Sequence, residues 1–419
     1  MVGGGGREHA LTWALRREDP ATTLYCAPGN PGTAELATNL PLAAEDLDGI
    51  VAACDQLDIA LTIVGPEIPL SLGLADRLAA RRRAVFGPTA NAARIESSKA
   101  FAKELMVNAG VPTAASRTFT ELPAALEYIA HHAEPLVVKA SGLAAGKGAV
   151  VCATRAEARD AASAMLGDQR FGTAGQTIVI EEFMAGEELS VLAITDGRGL
   201  FILPPAQDHK RLGEGDSGPN TGGMGAYSPV SIARPALLDR VRAQVFEPTL
   251  SALERMGDRY RGVLYAGLMI DAKGNPRVVE FNCRLGDPEA QVILPLVSSG
   301  LLACLDSVAN GGPVTPLELR QSDRAVTTVL AARGYPDNPE KGAEITIPTM
   351  PAGVTVFQAG TARNAAGKLV VAGGRVLNAT GVASSFAEAQ RLSRTAAERI
   401  EFAGKTFRRD IGWREAQRQ

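Results

Sequence analysis

The chain is poor in cysteine and poorer in histidine, and neither is arranged to bind anything. Its five cysteines, at positions 26, 54, 152, 283 and 304, form no Cys-x-x-Cys pair. Scattered in this way they read as small buried residues in a reducing compartment, not as a disulfide framework. The four histidines share no ligand spacing with them, so zinc is not expected. No apolar run approaches the roughly 18 residues that cross a bilayer, so no membrane contact is expected. The N-terminus lacks the charged stretch and apolar core of a secretion signal, and the expected location is cytoplasmic. Charge of one sign is missing too. The formal net charge is -3, so no global basic field favours nucleic acid. The one basic run, Arg81-Arg82-Arg83, closes a predicted helix, where cations suit the dipole. There is no internal repeat and no low-complexity tract.

What is present is a chain of 419 residues, long enough for two to four domains and a sizeable core. It opens with Gly3-Gly4-Gly5-Gly6 before a helix. Gly5 and Gly6 can offer bare backbone N–H groups to a phosphate there. Only two residues precede the glycines, so the strand expected ahead of them is largely missing. Glu8 and His9 occupy the place of the third glycine of Gly-x-Gly-x-x-Gly, which weakens a dinucleotide reading. Strands at 24–27, 59–64 and 85–86 alternate with helices at about 46–56 and 69–82. That order argues a parallel, Rossmann-like sheet, with Glu67 at a strand end where ligands bind. Glu67 reads equally well as an ordinary loop residue.

A helix follows, capped by Ser97 or Ser98 and carrying Lys99. Strand 136–139 ends on Lys139 and enters the loop Ser141-Gly-Leu-Ala-Ala-Gly-Lys-Gly148. This is no Walker A loop: Gly148 replaces the Ser/Thr after Lys147, and a strand follows instead of a helix. Small residues around a lysine suit a flexible phosphate cover. Strand 177–182 ends at two acids, turns at Gly186 and resumes at 189–194. The polar stretch 207–229 includes Asp208, Lys210 and six glycines; a loop so long inside a domain is usually functional or disordered. Helix 235–256 and strand 262–270 lead to Arg277–Glu289, which reads Arg-Val-Val-Glu-Phe-Asn-Cys-Arg-Leu-Gly-Asp-Pro-Glu. Strand alternation puts Glu280, Asn282 and Arg284 on one side and Val279, Phe281 and Cys283 on the other. Glu280 and Asn282 are hard oxygen ligands of the kind that Mg²⁺ takes, and Arg284 is a planar fork for a phosphate or carboxylate. Arg284 either clamps such a group or braces the turn through Asp287 or Glu289. Beyond about 321 the chain is strand-rich (327–331, 344–347, 354–357, 368–371, 375–379), with a last helix at 386–402.

Glu-x-Asn-x-Arg is similar to the metal-binding strand of ATP-grasp enzymes, and Arg284-Leu-Gly-Asp-Pro-Glu289 resembles a signature of the glycinamide ribonucleotide synthetase family. The resemblance runs over nearly the whole chain. It implies a multidomain α/β and α+β fold: a Rossmann-like N-terminal domain (1–95), an ATP-grasp domain (96–320) with a mobile lid at about 115–185, and a small β-rich C-terminal domain (321–419). ATP is then expected at Lys99, Lys139, Gly142, Gly146, Lys147 and Gly148. Glu181, Glu182, Phe183 and Met184 would lie along the adenine and Glu188 at the ribose. Mg²⁺, or Mn²⁺, would sit on Glu280 and Asn282. Gly5, Gly6, Glu67, Thr221, Gly222, Gly223, Met224 and Gly225 are substrate candidates, and Arg284, Lys210, Asp208 and Asp287 catalytic ones. A second metal carboxylate on the preceding strand is missing, since that strand reads Ala266-Gly267-Leu268-Met269.

The activity implied is ligation of glycine to 5-phosphoribosylamine through glycyl phosphate, with ATP cleaved to ADP, in purine biosynthesis by a monomer. Another ATP-grasp carboxylate–amine ligase is the alternative. A nicotinamide oxidoreductase would leave the lysine loop and Glu280 unexplained, and a non-catalytic nucleotide binder is disfavoured by the intact metal strand.

Overall fold

A computed structural model describes residues 1–144, 147–168 and 170–418. The first segment alternates strands and helices: β1 (Val2–Gly3), α1 (Gly6–Glu18), β2 (Tyr25–Pro28), β3 (Thr38–Asn39), α2 (Leu47–Gln56), β4 (Leu61–Ile63), α3 (Glu67–Ser71), α4 (Leu74–Ala80) and β5 (Ala84–Phe86). All pairings are parallel. β1 pairs with β2 and β2 with β3, β4 pairs with β5, and Val2 bridges to Val64. So β1, though two residues long, is the central strand, and Val2 is buried in the main core. The single helix expected at 69–82 is two helices. Gly73, at φ +88°, takes the left-handed conformation that only glycine adopts cheaply, and α4 starts from it.

Two helices lead on, α5 (Ala90–Ser97) and α6 (Lys99–Ala109). Ser98 caps α6 by accepting from the Phe101 amide (3.3 Å), as its position before the periodic run requires. A separate four-stranded antiparallel sheet follows, built from β6 (Ser116–Phe119), β7 (Leu136–Ala140), β8 (Ala149–Cys152) and β9 (Ile178–Glu182) in the order β6-β9-β7-β8. α7 (Leu122–His131) and α8 (Arg155–Ala162) pack on it and close a small core of their own.

The next sheet carries the metal-strand sequence. β10 (Glu187–Thr195) and β11 (Leu200–Ile202) precede the polar stretch. That stretch is ordered into β12 (Gln207–Asp208), β13 (Arg211–Gly213), β14 (Ser217–Asn220) and β15 (Gly225–Ser228). After α9 (Pro235–Val241) and α10 (Glu247–Arg255) come β16 (Gly262–Ile270) and β17 (Pro276–Asn282), in a sheet ordered β11-β10-β16-β17. Strict alternation along β17 fails at one point. Gly267 pairs with Glu280 but Leu268 pairs with Val278, leaving Val279 as an extra residue. Such a bulge shifts the facing of the strand. Val278, Phe281 and Cys283 can therefore share the hydrophobic core while Glu280, Asn282 and Arg284 face a cleft.

The remainder holds α11 (Ala290–Ile293), β18 (Val297–Ser299), α12 (Leu301–Ala309), β19 (Glu318–Leu319), β20 (Arg324–Ala331), β21 (Val354–Gln358), β22 (Thr361–Arg363), β23 (Leu369–Val371), β24 (Arg375–Ala383) and α13 (Phe386–Arg399). β12 and β15 join β20, β24 and β21 in one five-stranded sheet, so the polar stretch is hydrogen-bonded into the C-terminal part of the chain. The strand expected at 344–347 is reduced to two isolated bridges, Glu344 to Val370 and Thr346 to Glu401.

α13 crosses β24 at Gly381, where an added Cβ would come within 2.4 Å of the Ala389 carbonyl oxygen and 2.7 Å of the Ser393 amide. Backbone cannot yield as a side-chain end can. We expect Gly381→Ala to cost about 2 kcal/mol, read as a lower midpoint in thermal or urea unfolding; an unchanged midpoint would show that α13 is free to shift.

Candidate active site

A cleft of about 500 Å³ opens where these segments meet. One part is built from α6, β7 and β9. Lys139 Nζ pairs with Glu181 (2.8 Å) and donates to Val279 O, 3.1 Å away in the bulge of β17. Lys103, one helical turn after Lys99, reaches the other Glu181 oxygen (3.2 Å) and donates to Thr113 Oγ1 (2.8 Å). Burial lowers Lys103 to about 8 against the pull of Glu181. Lys99 Nζ donates to Gly142 O (3.3 Å); its own pKa is lowered by burial, opposed by Glu280. Glu181, at 2% exposure, is thus held between two lysines. Glu182 accepts from the Ala115 amide (3.0 Å) and pairs with Arg277. Phe183 and Met184 line the cleft, Phe183 half-exposed and Met184 buried.

The loop between β7 and β8 departs from the expectation in part. Gly142 bonds Ala174 O (3.0 Å) and lies so near Ala174 that a Cβ would fall 2.6 Å from its Cα. Gly148 lines the cleft, with its carbonyl bonded by the Ala140 amide. Gly146 lies outside the described residues. Lys147 is not over the cleft: its Nζ donates to Pro336 O (3.1 Å) and pairs with Asp337 (3.3 Å).

At the centre stand Glu280 and Asn282. Glu280 makes no hydrogen bond or ion pair among the described residues. Burial raises its pKa, but Lys210, Lys99, Lys139 and Arg284 outweigh burial and hold it below the usual carboxylate range. Gly267 is its partner across the strands, so no second carboxylate faces it there. Lys210 bonds Glu188 (2.7 Å) and lies 3.7 Å from Asp208. Glu188, expected to be free for the ribose, is therefore paired. Asp208, 6% exposed at its side chain, is pushed up to about 7 by burial and by Glu289, Glu188 and Glu280, against Lys210. Glu289 is buried and accepts from Tyr265 (2.6 Å) and Ser190 (3.3 Å).

Arg284 does not brace Asp287 or Glu289. Its Nε donates to Glu67 (3.2 Å), its Nη2 to Glu96 (2.6 Å) and Asn282 (3.1 Å), and its Nη1 to Leu285 O (3.2 Å). Four of its five N–H groups are spent, which leaves little of a clamp. Asp287 instead accepts from Gln291 (2.8 Å) and lies 3.5 Å from Arg375. Burial raises Glu67, but Arg284 and Arg7 outweigh it and lower its pKa.

The substrate candidates divide. Glu67, Thr221 and Gly222 line the cleft. Met224 is buried in the core, and Gly225 packs so closely on β20 that a Cβ would meet Thr327 O at 2.6 Å; both are structural. Gly223, at φ +111°, makes the turn, its amide donating to Thr221 Oγ1 (3.0 Å). Gly5 and Gly6 do not line the cleft, because Glu8 takes the Gly5 amide (2.7 Å) and Gly6 faces Asn378 and Gln291.

Reasoning from the sequence missed Lys103, Glu96, Arg7 and Arg375. Lys103 was legible, four residues after Lys99 on the same helix face. The others carried no local signal.

The comparisons with known proteins agree across the whole chain. Profiles of the phosphoribosylglycinamide synthetase N domain, ATP-grasp (A) domain and C domain match residues 1–96, 97–290 and 325–414. The chain belongs to this family. It is 49% identical to a phosphoribosylamine–glycine ligase of Nostoc sp., over 99% of this chain and 98% of that protein. A ligase of the same name from Xanthomonas axonopodis pv. citri is 46% identical, over 100% and 98%. The crystal structure of phosphoribosylamine–glycine ligase from Thermotoga maritima superposes with a TM-score of 0.86 at 38% identity, covering 98% of each chain. The biotin carboxylase domain of Hydrogenobacter thermophilus 2-oxoglutarate carboxylase, solved with MgADP, has a TM-score of 0.75 over 97% of this chain and 90% of that one; at 16% identity it shows the ATP-grasp fold alone.

A divalent cation fits the residues present. Glu280 is ionised, unpartnered and aimed into the cleft, and Asn282 Oδ1 keeps a lone pair beyond its bond from Arg284. No cluster of three or more His, Cys, Asp or Glu suited to a metal occurs among the described residues, so phosphate oxygens and water must complete the shell.

Two outcomes follow from the electrostatics. Asp208 has a folded pKa near 7, above its ordinary 3.8. Its contribution to stability is whole below the ordinary value, declines as pH rises and is gone above about 7. We expect Asp208→Asn to gain stability over the ligand-free wild type between about pH 5 and pH 8, by roughly 3 kcal/mol, measured by thermal unfolding. Parallel stability curves would place Asp208 in a more polar setting. Arg284→Lys cannot reach three acceptors in different directions. It should lose about 3 kcal/mol of stability and change the glycine KM less than tenfold; a wild-type melting point with a collapsed kcat/KM for glycine would restore the clamp.

Proposed function

We propose that this cleft joins the carboxyl group of glycine to the amine of 5-phosphoribosylamine at the expense of ATP, giving glycinamide ribonucleotide, ADP and phosphate in purine biosynthesis. The observation that carries it is the free carboxylate of Glu280 beside Asn282, facing the lysines of α6 and β7 on one hand and the Asp208–Lys210 pair on the other. Family membership supplies the substrates.

The first step joins two anions. A glycine carboxylate oxygen attacks the γ-phosphorus, and the bond to the ADP oxygen breaks. Lys99 and Lys139 lie where the triphosphate would, with Lys139 aimed by Glu181 and Val279 O. A bound Mg²⁺ or Mn²⁺ on Glu280 and Asn282 supplies charge neutralisation when present. The adenine lies along Glu181, Glu182, Phe183 and Met184, and its ribose exchanges with Lys210 for Glu188. In the second step the amine attacks the acyl carbon of glycyl phosphate and phosphate leaves. Asp208, poised near neutral pH, takes the amine's proton, and Lys210 faces the acyl oxygen as it gains charge. The five cysteines are unpaired, and no described helix is long and apolar enough to cross a membrane. We place the enzyme in the cytoplasm, acting as a monomer.

ADP release that requires both glycine and phosphoribosylamine tests the reaction; release with another acid or amine in their place would move the chain to a different ligase. Within it, Lys139→Met should raise the ATP KM and lower kcat together, because its phosphate contact is made in the ground state and strengthens as charge shifts in the transition state. Glu280→Gln should lower kcat by about a hundredfold or more at nearly constant ATP affinity. An unchanged kcat in Glu280→Gln would remove that residue from the metal site.

A further inference from the structure

Arg7 and Arg375 line the cleft and, unlike Arg284, are not saturated. Arg7, 8% exposed at its side chain, donates Nε to Glu8 (2.6 Å) and Nη1 to Leu285 O (3.1 Å). Arg375, 22% exposed, donates through Nη1 alone, to Gly222 O (2.5 Å) and Asp287 O (2.6 Å). The Nη2 of Arg7, and both Nε and Nη2 of Arg375, meet no acceptor among the described residues. These donors open onto the cleft, where the oxygens of a ligand can take them in place of water.

The two arginines come from opposite ends of the chain, the first turn of α1 and the first residue of β24, yet serve one patch. Both act on Asp287, whose carboxyl burial would raise but Arg375 and Arg7 hold below the usual range. Lys99, Lys103 and Lys139 serve other partners, Gly142 O and Glu181. Gly222 keeps the patch clear, since a Cβ there would stand 3.0 Å from the Arg375 guanidinium carbon. Asp287 Oδ1 is taken by Gln291 (2.8 Å), so Oδ2 is its open acceptor.

We infer that Arg7 and Arg375 together grip the phosphate of a sugar phosphate, with Asp287 turned to the sugar's hydroxyl groups. Planar guanidinium forks match the oxygens of a phosphate monoester, and an ionised carboxylate accepts hydroxyl donors. The identity of the sugar as that of phosphoribosylamine rests on the function proposed above. Triphosphate and monophosphate would then engage separate sets of cations in one cleft and not compete.

Ribose 5-phosphate is the probe, used with the full chain. It should inhibit competitively against phosphoribosylamine, and ribose at the same concentration should not. Arg7→Met and Arg375→Met should each raise the phosphoribosylamine KM on the order of a hundredfold and abolish that inhibition, while the KM values for ATP and glycine stay within about twofold of the wild type. A folded variant that keeps the wild-type KM and inhibition, or equal inhibition by ribose, overturns the assignment. Should neither variant fold, phenylglyoxal labelling of the wild type reads the same contact. Ribose 5-phosphate should protect both arginines, and unchanged labelling rates overturn the assignment. A wild type that releases no ADP with glycine and phosphoribosylamine would sink the ligase reading instead, and leave protection of the two arginines as evidence for a sugar-phosphate site.

Discussion

Everything at the cleft floor hangs on where one guanidinium divides its donors. Arg284 ties Glu67, at the start of α3, to Glu96, at the end of α5, and holds Asn282 at the end of β17. Glu96 also accepts from the Cys283 amide (2.8 Å). Two stretches of the N-terminal part of the chain are thereby fastened to the strand that bears Glu280. Buried charges of this kind contribute little net stability. Their value lies in fixing register, because no other arrangement satisfies a fork with two carboxylates and a carboxamide.

The rest of the cleft runs on pairings between its own side chains. Glu181 lies between Lys103 and Lys139, and Lys210 between Glu188 and Asp208. Charges that neutralise one another in this way can exchange partners for substrate oxygens and hydroxyls at small net cost in desolvation, since they are withdrawn from water already. Preorganisation of this type lets fixed charges act on developing ones without reorienting during the reaction.

The site-bearing strand was legible because a period of two is written into Glu280-x-Asn282-x-Arg284. The Val279 bulge that makes this pattern compatible with a buried Val278 was not, because a bulge is a property of register against β16. The α6 cap at Ser98 and the lysine at its first turn could be read locally. Arg284's partners could not: they lie 217 and 188 positions away in the chain. For the same reason Arg375 passed as an ordinary strand residue. The stretch 207–229 stood out by composition, yet its strands β12 and β15 take their place in a sheet through the pairing of β15 with β20. Local chemistry was visible, whereas whatever depended on distant pairing was hidden.

Gly267 opposite Glu280 has a consequence for how the enzyme lives with its metal. A pocket with one free carboxylate and one carboxamide holds a divalent ion weakly by itself. On the proposed chemistry most of the coordination sphere belongs to the nucleotide, so cation and nucleotide enter and depart as a unit. On that reading the ligand-free protein keeps no metal of its own for a chelator to strip. The supply that governs its rate is then the pool of metal-complexed ATP, which rises and falls with both the nucleotide and the metal around it.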